Sequence, residues 1–174
     1  MALAYVARFA TTRAKLEGYL KRKLRERGWD GEGEPPVADL AQRFVSAGYV
    51  DDKAYAKAKT GSLLRRGYGA RRLGQALNAA GVDQDIREEV EPSVAEQREA
   101  ALTMARKRGF GPFGRQDIDP ARREKQIAAM IRGGHSFDAA IALIDAADTE
   151  QAETWAAEFS EEESGDEMGG ENEW

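Results

Sequence analysis

The sequence predicts an all-α chain: an elongated array of three tandem three-helix repeats with an acidic, partly disordered C-terminal tail. A hexapeptide recurs in close paraphrase, Leu64-Arg65-Arg66-Gly67-Tyr68-Gly69 and then Arg106-Lys107-Arg108-Gly109-Phe110-Gly111, and such self-similarity marks a repeat architecture. Amphipathic stretches with leucines four apart end at glycines, as helices do. No alternating β-branched run of strand length interrupts them. The repeats are expected over residues 1–50, 51–92 and 93–147, with the tail over 148–174.

Each repeat opens with an alanine- and aromatic-rich helix: Ala4 to Phe9, Ala54 to Leu64, and Ala100 to Met104 with its extension. Asp51-Asp52 stands just ahead of the second of these and suits a helix cap. The next helix of each repeat runs through Leu16, Leu20 and Leu24 to Gly28, through Leu73 and Leu77 to Gly81, and more loosely through Ile127, Met130 and Ile131 to Gly133-Gly134. Glycine at such ends fits a left-handed C-cap. An apolar residue and an aspartate follow in Trp29-Asp30, Val82-Asp83 and Phe137-Asp138, predicting an N-cap and a hydrophobic staple for the last helix. Those last helices carry Val37, Leu40 and Phe44; Ile86 and Val90; Ile141 and Ile144. Gly31 to Pro36 and Gly111 to Pro120 are loops. Units this small bury little apolar surface alone and gain stability from their neighbours.

Of 174 residues none is cysteine, which removes disulfides and thiolate metal sites. No apolar run approaches the roughly twenty residues that span a bilayer, and a cytoplasmic chain without membrane contact is expected. The net charge of −5 hides a segregation. Residues 1–147 hold 26 Lys and Arg against 20 Asp and Glu, a surplus of +6, whereas residues 148–174 hold 11 acids and no base.

Cations gather at the repeated turns: Arg65, Arg66, Arg71 and Arg72 in the second unit, and Arg106, Lys107, Arg108, Arg115, Arg122 and Arg123 in the third. The first unit carries Lys21, Arg22, Lys23, Arg25 and Arg27 along one helix. Cations near a helix C-terminus complement its dipole by about 0.3–1 kcal/mol each, and charged helix faces are often merely solvated. The recurrence of charge with Gly-aromatic-Gly favours spaced contacts to a polyanion or acidic surface. Tyr68 and Phe110 are base-stacking platforms or, as is commoner in turns, packing residues. The single histidine, His135, has no second histidine or cysteine near it in sequence and suits a loop or capping role. No phosphate-cradling loop or nucleophile elbow is present, so neither catalysis nor a metal or cofactor is expected.

Gly48-Tyr49-Val50-Asp51-Asp52, then Tyr55-Ala56, Leu64-Arg65-Arg66-Gly67-Tyr68-Gly69, Leu73, Leu77 and Gly81 resemble the RecX regulatory proteins of bacteria. Tyr5 to Gly28 is similar to that family's first helices, and the resemblance spans residues 2 to 147. It implies a non-enzymatic modulator, working as a monomer, that binds the groove of the RecA filament on single-stranded DNA and restrains its growth and ATP-driven activities. Under this implication Lys21, Arg22, Lys23, Arg25, Arg65, Arg66, Arg71, Arg72, Arg106, Lys107, Arg108, Arg122 and Arg123 are candidate contacts to RecA or DNA. A helical DNA-binding protein and a protein-binding scaffold are the competing classes.

Ala152, Trp155, Ala156 and Phe159 fall at helical spacing, so Glu150 to Phe159 is expected to form an acidic amphipathic helix. Ser160 to Trp174 is acidic and poor in apolar residues, a composition of disorder. Such a tail either packs as structure, improves solubility, or competes with an anionic ligand for the basic body, an attraction strongest at low salt.

Overall fold

The computed structural model describes residues 1–114 and 119–159; Arg115 and the expected disordered segment after Phe159 lie outside them. The described residues hold α1 (Ala2–Val6), α2 (Arg13–Arg27), α3 (Val37–Ser46), α4 (Asp52–Arg65), α5 (Ala70–Ala79), α6 (Gln84–Glu89), α7 (Val94–Arg108), a 3-10 turn (Gly111–Phe113), α8 (Pro120–Arg132), α9 (Phe137–Ile144) and α10 (Thr149–Ala157). No strand occurs among them, so the fold is all-α with successive helical triples, as the repeat predicts. No helix among them is long and apolar enough to cross a membrane.

Five helix ends among the described residues share one closure. The glycine N–H bonds the carbonyl three residues back, and the next N–H reaches the carbonyl five back: Tyr49 to Phe44 at 2.9 Å, Tyr68 to Leu63 at 3.0 Å, Val82 to Leu77 at 3.1 Å, Phe110 to Ala105 at 2.9 Å and His135 to Met130 at 3.2 Å. This is the Schellman motif, which satisfies orphan carbonyls and brings the residue after the glycine back onto the helix just ended. Phe44 and Tyr49 accordingly meet with ring centroids 5.6 Å apart.

That geometry corrects the expected grammar. The apolar residue after the glycine in Val82-Asp83 is buried and bonds back through its N–H to the Leu77 carbonyl of the preceding helix, and Asp83 stands at the N-cap of α6 without a side-chain bond. Asp30 caps no helix among the described residues: α3 starts seven residues on, behind Pro36, and Trp29 folds over its own loop to donate to the Gly33 carbonyl at 3.1 Å. Asp138 lies inside α9, whose N-cap is Ser136, accepting from the Ala139 N–H at 3.1 Å. Gly28 ends α2 at φ +82° and ψ 173°, extended rather than left-handed in ψ. The first helix is Ala2–Val6 rather than Ala4 to Phe9, and α7 starts at Val94 with a full Ser93–Glu96 capping box. Asp51 does cap α4, accepting the Ala54 N–H at 2.8 Å.

The chain forms two compact units, residues 1–59 with 75–90 and residues 60–74 with 91–174. In the first, Leu16, Leu20, Val37, Ala41 and Val50 form the core, with Tyr5, Tyr19 and Phe44 packed against it. The N-terminus of α2 is tied down from distant segments. Asp52 accepts the Arg13 N–H at 2.8 Å, and Thr12, fully buried, accepts from Lys15 N–H and donates to the Ala80 carbonyl at 2.5 Å. Burial is the main cause holding the Asp52 carboxyl above its usual range.

In the second unit the core joins Ala101, Leu102, Met104 and Ala105 of α7 to Ile127 and Met130 of α8, Leu143 and Ile144 of α9, and Ala152 and Ala156 of α10. Leucine- or methionine-sized side chains buried this fully stabilise the fold by about 1.5–3 kcal/mol each. The acidic helix is therefore part of the core. Arg98 reinforces it: its guanidinium lies 4.4 Å from the Trp155 ring and 4.3 Å from the Phe159 ring, and donates to the Trp155 carbonyl and to Glu158, both at 2.6 Å.

Candidate functional site

In the second unit the end of α4, the Gly67-Tyr68-Gly69 turn and the start of α5 dock on the Gly133-Gly134-His135 turn between α8 and α9. The joint is made of peptide groups: Gly69 N–H to the Gly133 carbonyl at 2.9 Å and Arg71 N–H to the Gly134 carbonyl at 3.2 Å. His135, buried, adds Nε2 at 3.0 Å from the Gly67 carbonyl. A carbonyl only accepts, so Nε2 carries the proton. Desolvation lowers the His135 pKa, against the bond to Gly67, and the neutral ring favours this tether over acid–base exchange. Met104 of α7 lies where the turns meet: a Cβ on Gly67 would stand 2.8 Å from its backbone nitrogen, and one on Gly133 would stand 2.6 Å from its sulfur.

The two glycines of the motif thus have different tasks. Gly67, at φ +85°, makes the left-handed cap, whereas Gly69 permits close approach, since a Cβ there would lie 2.4 Å from the Gly134 carbonyl carbon and oxygen. The second copy of the motif repeats this within the same unit: Gly109 caps at φ +62°, and a Cβ on Gly111 would meet the Leu143 carbonyl oxygen at 2.4 Å. Buried Gln126 accepts the Gly111 N–H at 2.9 Å.

This docking brings the C-terminal ends of α4, α7 and α8 together, each ending in cations. Lys107 Nζ donates to the Arg65 carbonyl at 2.8 Å, and Arg71 donates to the Ile131 carbonyl, so both satisfy orphan carbonyls at helix ends. Arg66 and Arg72 lie 5.1 and 4.9 Å from the Tyr68 ring centroid, and Arg108 lies 6.0 Å from that of Phe110. Phe110 packs on the core of this unit. Tyr68 is half-buried and already faces two guanidinium groups.

The expected site residues therefore part company. Arg123 is clamped by Asp145 through two hydrogen bonds, which hold the Asp145 carboxyl below its usual range. Arg106 pairs with Glu153 of α10 at 2.7 Å. Arg122 is half-buried beside the Asp119 cap. Arg65, Arg66, Arg72 and Arg108 remain exposed and have no ion pair among the described residues. Arg132 joins them: it ends α8, is exposed and has no ion-pair partner there. Its signal in the sequence was an arginine followed by glycine, as in Arg66-Gly67. In the first unit, Lys23 is bound to Glu26 at 2.5 Å, Arg22 more loosely at 3.8 Å, and Lys21 and Arg25 are exposed without ion pairs among the described residues.

Fold and site define an all-α protein of successive three-helix units whose turns gather cations. Residues 51–90 match a family model described as the second three-helix domain of RecX. The chain is 33% identical over 156 residues to the regulatory protein RecX of Myxococcus xanthus, covering 83% of this chain and 82% of that one. It is 35% identical over 148 residues to its counterpart in Agrobacterium fabrum, covering 82% and 78%. The crystal structure of RecX from Lactobacillus salivarius shares the fold, with a TM-score of 0.62 at 21% identity over 80% of this chain and 86% of that one. The chain belongs to the RecX family of regulatory proteins.

Proposed function

We propose that this protein binds the RecA filament on single-stranded DNA and modulates, mostly by inhibition, its recombinase and ATPase activities in DNA repair and the SOS response. It does so by binding, without catalysis, as a cytoplasmic monomer. The observation that carries the reading is the seam of Arg65, Arg66, Arg72, Arg108 and Arg132, exposed and without ion pairs among the described residues, in a chain whose relatives are named as regulatory proteins. Guanidinium groups pair bidentately with carboxylates and phosphates alike, so filament acids and DNA backbone are both suitable counterparts.

The test is RecA-dependent ATP hydrolysis on single-stranded DNA, with this chain added below stoichiometry. Slowed hydrolysis is expected, and the combined Arg66→Glu, Arg72→Glu and Arg132→Glu variant should lose at least tenfold in potency while keeping its helical circular dichroism. A variant as potent as wild type removes the seam from the interface. No effect of the wild type, together with tight binding to a defined duplex, would replace this function with that of a helical DNA-binding protein.

A further inference from the structure

The positive charge of the body is not where the repeated turns suggest. Residues 1–28 hold eight Lys or Arg against two Asp or Glu, a surplus of +6, while residues 29–147 hold eighteen of each. The whole excess thus lies on α1, α2 and their connection. Both acids of that stretch are engaged, Glu17 by Arg13 at 3.2 Å and Glu26 by Lys23 at 2.5 Å. Arg8, Lys21, Arg25 and Arg27 are exposed and carry no ion pair among the described residues.

The same stretch builds a column of rings, two stacked and a third, Phe9 in the connection between the helices, tilted against them. Tyr5 and Tyr19 stack with centroids 4.1 Å apart and planes 10° apart, the Arg22 guanidinium lies 5.6 Å from the Tyr19 ring, and Phe9 lies 5.5 Å from Tyr5 at 45°. Tyr5 and Tyr19 pack against the core of the first unit. Phe9 does not: it is 58% exposed, and Tyr5 is its only ring partner among the described residues. A column anchored in the core, ending in an exposed ring next to an unpaired arginine, has the features of a single-strand platform, in which bases stack on aromatics while cations hold the backbone.

We infer that α1 and α2 form a binding site for single-stranded nucleic acid, with a base continuing the Tyr19–Tyr5–Phe9 column and phosphates held by Arg8, Lys21 and Arg25. A duplex keeps its base faces inside its own stack and cannot use the end of the column. A merely basic helix would bind duplex at least as well, because duplex carries more charge per unit length. The inference takes from the proposed function only the presence of single-stranded DNA, and it requires no RecA.

The experiment measures binding of the full chain, without RecA, to a fluorescent 20-nucleotide oligothymidylate and to a mixed-sequence duplex of equal length over a salt series. Wild type is expected to prefer the single strand. Phe9→Ala should weaken that binding roughly 5- to 100-fold, leave the salt slope unchanged and leave duplex binding as it was. Phe9→Leu, which keeps bulk without an aromatic face, should be nearly as weak. Lys21→Glu with Arg25→Glu should flatten the salt slope for both ligands. Wild-type affinity of both Phe9 variants for oligothymidylate, or an equal loss for duplex, overturns the inference. Slowed RecA ATPase beside Phe9-independent binding would remove the column and leave the proposed function standing. Phe9-dependent binding by a chain without effect on RecA would do the reverse.

Discussion

Gly69→Ala is a methyl-sized perturbation with a large expected cost. Its Cβ would stand 2.4 Å from the carbonyl carbon and oxygen of Gly134 and 2.6 Å from the His135 nitrogen. These are backbone atoms, which cannot rotate away as a flexible side chain would. The two turns must separate, weakening the Gly69 N–H to Gly133 bond at 2.9 Å and the Arg71 N–H to Gly134 bond at 3.2 Å. Over-packing costs about 1–3 kcal/mol, and two backbone hydrogen bonds add about 1 kcal/mol each. A loss of about 3–5 kcal/mol follows, lowering Tm on the order of 10 °C for a chain of this size. Gly74→Ala is the internal control. It lies inside α5, the helix that Gly69 precedes, and nothing stands within 4 Å of a Cβ there, so the substitution should stabilise by about 0.5–1 kcal/mol through helix propensity. Urea unfolding followed by circular dichroism reads both. A Gly69→Ala loss under 1 kcal/mol, or equal shifts for the two variants, would refute the close-approach reasoning.

His135 predicts a pH dependence: its folded pKa lies below the ordinary 6.5, so the unfolded chain binds more protons as pH falls through that value. Stability should drop below about pH 6.5, and His135→Gln should flatten the slope between pH 7.5 and 5.5 in thermal melts. Removing everything after Ala147 takes away Ala152, Trp155 and Ala156 with α10, so that truncation should lower urea stability by several kcal/mol, about 1 kcal/mol or more per large side chain left uncovered. A chain ending at Phe159 keeps α10 and is the proper form in which to test whether the acids beyond it compete with DNA. Under the proposed function, Arg123→Ala should leave inhibition of RecA intact, because Asp145 already occupies that guanidinium; lost inhibition in the ATPase assay would place Arg123 at the interface.

The helices and the left-handed caps at Gly81 and Gly134 were legible in the sequence because helical period and glycine ends are local signals. The docking of Gly69 on Gly133 was not, because peptide groups make it and any residue pair has those. Side-chain fate was likewise hidden. Arg66, Arg71, Arg106 and Arg123 look equivalent in a charge count, yet Ile131, Glu153 and Asp145 take three of them. The Val82-Asp83 pair misled for a definable reason: a Schellman cap and a hydrophobic staple both put an apolar residue after the glycine, and only the folded chain shows which helix it returns to. Residues 1–28 carry the whole positive surplus of the body, although the repeated arginine motif lies elsewhere in the chain.

The joint between the two glycine turns also sets how this part of the molecule opens. Amides in connecting segments usually exchange with solvent deuterium within seconds to minutes, as fast as their loops fray. Gly69 and Arg71 flank the start of a helix, yet each donates to a carbonyl of a turn more than sixty residues away, above buried Met104. Their protons are released only when α4 and α8 part. These two amides should therefore exchange at the slow rate of the helix interiors, reporting on the cohesion of the whole unit from within its turns.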